Sequence, residues 1–111
     1  MTKQMSDVPP TIDIDISDID YSVDVRQDCN RHRSTRELNV KFTDVIFDLC
    51  PIARIMQIRF NVTKSNPDIE SLIIDITNWL ALCQIDLLQI MSVGNDEYVM
   101  QFIESFSYCT N

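Results

Sequence analysis

Residues 11–17 read Thr11-Ile12-Asp13-Ile14-Asp15-Ile16-Ser17, and residues 19–25 read Ile19-Asp20-Tyr21-Ser22-Val23-Asp24-Val25. Both runs alternate apolar and polar side chains with a period of two, which places the apolar ones on one face of an extended strand. The runs are out of phase with each other. Ser17-Asp18 inserts one extra residue, and a one-residue shift reverses the faces, so a bulge or a break must separate them. Asp is a poor strand former, yet charged side chains at a sheet margin discourage unwanted pairing. The expectation is an edge strand, or a pair of short strands, with Ile14, Ile16, Tyr21 and Val23 offered as a partner-binding stripe. A partner's sheet or a second copy of the chain would take that stripe by strand addition.

Working outward, residues 26–36 read Arg26-Gln27-Asp28-Cys29-Asn30-Arg31-His32-Arg33-Ser34-Thr35-Arg36 and contain no periodic apolar residue, which predicts a loop. Charge follows the same boundary. Residues 1–25 carry −5, residues 26–36 carry +3, residues 37–63 are neutral and residues 64–111 carry −6. This divides the chain into an acidic arm with a basic loop (1–36) and a compact α+β body (37–111).

Within the body, Leu38, Val40 and Phe42, then Val45, Phe47 and Leu49, suggest a strand with a bulge or two short strands, ended by Pro51. Met56, Ile58, Phe60 and Val62 share one face of a strand over 54–63. Ser65-Asn66-Pro67-Asp68 is a helix start, because Asn66 can cap free amides, Pro67 suits the first helical position and Asp68 and Glu70 suit the positive end of the dipole. Ile69, Leu72, Ile73, Ile76, Leu80 and Cys83 then mark a helical stripe over about 67–83. The nearly unbroken apolar run from Ile85 to Val93 predicts a central strand. Gly94-Asn95-Asp96 supplies turn chemistry, and Tyr98, Met100, Phe102, Phe106 and Tyr108 predict a hairpin return. The fold class expected is α+β: a mainly antiparallel sheet of four to six strands with one amphipathic helix on one face.

A length of 111 residues suits one domain. The single glycine, Gly94, excludes Gly-rich phosphate loops, dinucleotide-binding turns and the hydrolase nucleophile elbow, which each need several. A net charge of −8 opposes non-specific contact with nucleic acid or anionic membrane. No run reaches the roughly 18 apolar residues of a membrane span, and residues 1–25 lack the apolar block of a secretory signal. The reading is therefore cytoplasmic, with Cys29, Cys50, Cys83 and Cys109 as reduced thiols. Asn61-Val62-Thr63 matches a glycosylation acceptor that is silent without secretion.

Cys29 and His32 form Cys-x-x-His, half of a zinc site without the second close pair that zinc usually takes. They also suggest a thiol-dependent enzyme, with Arg31 and Arg33 favouring the thiolate, but no third group orients the pair. Asp13, Asp15, Ser17 and Asp24 mimic a calcium loop, except that Asp18 stands where that loop needs glycine. Arg26, Arg31, Arg33 and Arg36 suit anion contacts or charge pairing with the arm's aspartates. Internal pairing is favoured over nucleic acid, because aromatic interleaving is absent. No catalytic residue, metal or cofactor is assigned. The functional expectation is a non-enzymatic interaction module, self-associating as a homodimer or bound to a protein partner. Few Gly and Ala favour a viral or phage accessory protein over an inhibitor masking a basic enzyme.

Overall fold

A computed structural model describes residues 10–49, 54–94 and 96–110. Its elements run β1 (Thr11–Ser17), β2 (Asp20–Gln27), β3 (Asn30–Glu37), α1 (Phe42–Leu49), β4 (Ile55–Asn61), α2 (Pro67–Leu80), β5 (Leu87–Ser92) and α3 (Glu97–Thr110). The strands form one sheet in the order β3-β2-β1-β4-β5. Pairing is antiparallel for β1/β2 and β2/β3 and parallel for β1/β4 and β4/β5. The α+β class and the strand at 55–61 agree with the sequence reading, as does the helix beginning at Pro67.

The two alternating runs at the N-terminal end are β1 and β2, and the phase slip between them is a tight turn. Ile16 pairs with Tyr21, leaving Asp18-Ile19 outside the ladder. Ser17 closes the turn, its hydroxyl donating to the Asp20 carboxylate at 2.8 Å while accepting the Asp20 N–H at 3.2 Å. Asp18 accepts both the Thr63 hydroxyl at 2.6 Å and the Thr63 N–H at 2.9 Å, which ties the turn to the end of β4. The hydroxyl bond first, then the amide, holds the Asp18 carboxyl below its ordinary range.

Several expectations are corrected here. β1 is the middle strand of five, flanked by β2 and β4, and not an edge strand. Residues 26–36 are mostly strand, since β2 turns over Asp28-Cys29 into β3, with Asp28 in the left-handed region at φ 56°. Residues 11–37 provide three of the five strands of the sheet that β4 and β5 complete. Phe42–Leu49 is helical because Phe42, Val45 and Ile46 bury at i, i+3 and i+4, a helical and not an alternating stripe. Residues 97–110 are helical too, and β5 lies at the edge of the sheet and not at its centre. One helix was expected, and three are present among the described residues. The readings at Pro51 and Asn95 fall outside the described residues.

The core lies between the sheet and the helices. Ile12, Ile14 and Ile16 stand between Tyr21, Val23 and Val25 on one side and Met56, Ile58 and Phe60 on the other, and Ile69, Leu72, Ile73 and Ile76 of α2 join the same core. Phe42 of α1 packs edge-on against Trp79 of α2 at 5.3 Å, and Phe60 contacts Tyr98 and Phe102 of α3 at 6.0 and 6.4 Å. The helix start is as read: Asn66 is extended at φ −150°, its side-chain oxygen accepts the Asp68 N–H at 2.9 Å, and Pro67 follows. Asp75 on α2 accepts the Thr43 N–H at 3.3 Å, so one helix satisfies a free amide at the start of another.

Candidate functional site

Alternation along each strand sends one set of side chains into the core and the other to the opposite face of the sheet. The core set comes from one parity, so the opposite face carries Asp13 and Asp15 of β1, Ser22, Asp24 and Arg26 of β2, and Arg31 and Arg33 of β3. Gln57 and Arg59 of β4 and Gln89 and Met91 of β5 complete it. All three helices contribute to the single core on the other side, and among the described residues no helix covers this face.

Its charges are arranged by register. Asp13 stands opposite Asp24, and Arg26 opposite Arg31, so the direct cross-strand pairs are of like charge and unfavourable. The side chains resolve this on the diagonal. Arg26 pairs with Asp13 at 2.7 Å, and Arg31 donates through Nε at 2.8 Å, and through Nη2, to Asp24 Oδ2. Arg59 reaches Asp15 at 3.4 Å, while Arg33 makes one long bond to the Ser22 hydroxyl at 3.4 Å. Asp24 is buried beneath this layer, its Oδ1 without a hydrogen bond, and the same is true of Asp13 Oδ1. The Asp24 hydrogen bond, with its charge, keeps the Arg31 guanidinium protonated above its ordinary range. A cleft of about 210 Å³ lies among Asp13, Asp15, Asp24, Arg31, Arg33 and Arg59, and its opposed charges are largely matched. Of the four loop arginines, Arg36 alone lies on the core-side parity, opposite Tyr21.

The partner-binding stripe expected at Ile14, Ile16, Tyr21 and Val23 is corrected: all four are at most 1% exposed and packed in the chain's own core. Tyr21 also donates to the Val40 carbonyl, and burial, reinforced by the Asp75 charge, pushes its phenol up to about 12. Cys29 sits exposed in the β2–β3 turn and His32 on β3, and no hydrogen bond joins them. Burial pushes the Cys83 thiol up. Among the described residues, no group of three or more His, Cys, Asp or Glu is placed to hold a metal ion, and no helix is long and apolar enough to cross a membrane.

The sheet's two edges differ. β3 is Asn30-Arg31-His32-Arg33-Ser34-Thr35-Arg36-Glu37, and charges at an edge oppose further strand addition. β5 is Leu87-Leu88-Gln89-Ile90-Met91-Ser92, without a charge, and leaves Leu87 49% and Met91 38% exposed. Leu87 N–H donates to the carbonyl of Arg54, just before β4, and Val93 N–H to that of Phe60 in β4. By the strand's period of two, odd residues of β5 turn their backbone groups toward β4, and Leu88 and Ile90 turn theirs outward. The sequence reading missed this edge, because an unbroken apolar run looks the same on a central strand. Its signal was the lack of charge over six residues of an otherwise acidic chain. The chain matches no protein-family model, and no curated protein matches it in sequence.

Proposed function

We infer that this chain is a non-enzymatic protein–protein interaction module that self-associates, in the manner of a small accessory or structural protein. One observation carries the reading: β5 is an uncharged edge strand with outward main-chain donors and acceptors and exposed Leu87 and Met91. Strand addition at such an edge takes affinity from main-chain bonds and specificity from alternate side chains. The interaction expected from the sequence thus moves from the N-terminal stripe to the opposite end of the sheet. Support for a non-enzymatic role comes from the charge-matched open face, where Arg26, Arg31 and Arg59 each pair with an aspartate.

Sedimentation equilibrium over a wide concentration range tests the reading. Association to twice the chain's 12.9 kDa is expected, and a monomer throughout would remove it.

A further inference from the structure

We propose that the occupant of the β5 edge is a second copy of β5, antiparallel to the first, about a two-fold axis that passes beside Gln89 and joins the two sheets into one of ten strands. The proposal rests on the self-association reading and adds the surface, the partner and the register.

A two-fold axis perpendicular to the sheet pairs residues whose numbers share one sum, and the sum must be even if like faces are to meet and both helix layers are to lie on the same side. Centring on Gln89 sets Leu87 against Met91 of the second copy, Leu88 against Ile90, and Gln89 against Gln89. Each apolar residue then meets an apolar residue, and the two exposed apolar side chains of the strand's open face, Leu87 and Met91, cover each other. Leu88 and Ile90, which point their backbone groups outward, fall directly opposite one another. They exchange both main-chain bonds at each end, giving four bonds across the axis. Gln89 sits at the centre as a non-hydrogen-bonded pair, where side chains approach most closely. Its side-chain oxygen already accepts from Gln57 Nε2 at 2.8 Å, so each Gln89 is anchored to β4 and the pair at the axis is uncharged. No charged residue of β5 opposes another, so nothing in the strand resists the pairing.

Charge exchange at residue 89 is the test. Gln89 is an exposed open-face residue, so Gln89→Lys and Gln89→Glu leave the core untouched. Each variant places like charges directly opposite across the axis, and each is expected to sediment as a monomer while keeping the wild-type circular dichroism spectrum. Mixed in equal amounts, they are expected to regain the dimer mass as a heterodimer. In a Cys29→Ser background, Gln89→Cys is further expected to link two copies by a disulfide between their two substituted positions under mild oxidation. Ile90→Cys, whose sulfur would face Leu88, is expected not to link to itself. Wild-type dimerisation together with variants that remain homodimers, or with linkage at residue 90 instead of 89, would overturn this register while leaving self-association standing. A wild-type monomer would overturn both.

Discussion

Asp24 shows how single residues constrain the open face. The hairpin register sets two carboxylates opposite each other and two guanidinium groups opposite each other. A chain that must keep β1 and β2 in phase for core reasons cannot slip to relieve them, since a one-residue slip would expose Ile12, Ile14 and Ile16. Diagonal pairing is the remaining way to neutralise the ladder, and Asp24 depends on Arg31 because its other oxygen has no partner. Arg31→Ala is therefore expected to lower the melting temperature by more than the double variant Arg31→Ala/Asp24→Asn, which removes the stranded charge along with its partner. Equal losses in thermal denaturation would show that solvent replaces Arg31 without cost.

Tyr21 gives a second residue-scale expectation. Its phenol ionises near 10 when unfolded and is pushed up to about 12 when folded, by burial first and then by Asp75. Below pH 10 both states hold the proton and stability does not depend on it. Between pH 10 and 12 the unfolded state releases a proton that the folded state keeps, so stability falls as pH rises. Denaturant titrations should show this alkaline decline in the wild type and a shallower one in Tyr21→Phe. That variant should also lose about 1 kcal/mol at neutral pH with the bond to Val40.

At the scale of elements, legibility followed how unambiguous each period was. β1, β2 and β4 could be read because apolar residues recur at every second position along them, and α2 because its stripe has both three- and four-residue steps behind a capping sequence. α3 was misread for a definite reason. Tyr98, Phe102 and Phe106 are spaced by four, which satisfies a period of two and of 3.6 alike. Only Met100, 64% exposed, and Tyr108, 79% exposed, separate the two, and they are the residues a helix turns outward. β3 was invisible because it has no apolar residue; β2 and the Asp28-Cys29 turn place it. The open-face ladder was legible as opposite charges, but not as a geometry, because the register depends on both turns. Gly94 ends β5 with φ +101°, and a Cβ there would meet nothing within 4 Å. Gly94→Ala is thus expected to cost about 1–2 kcal/mol purely through backbone conformation, measured by denaturant unfolding. No loss would mean that the turn before α3 relaxes to negative φ.

For the whole molecule, the asymmetry between the two edges decides whether association stops. A sheet with two open edges can add strands without limit, whereas an isologous contact at one edge closes at two copies. In the proposed dimer β5 supplies the contact and β3 the stop, with Arg31, Arg33, Arg36 and Glu37 along its edge. Arg31 is needed to pair Asp24, so Arg33 and Arg36 are the guards that can be removed without stranding a buried charge. Arg33→Thr/Arg36→Thr keeps β-forming residues in the strand and is expected to turn a closed dimer into end-to-end assemblies whose mass grows with concentration in light scattering. The substitutions also make an already acidic chain more acidic. General repulsion between copies would therefore rise, and growth would have to come from the opened edge. Adding Gln89→Lys to the same chain should cut the series back to a species of two copies, now joined through β3 alone. A variant that stays dimeric at every concentration would show that side-chain charge is not what keeps β3 unpaired.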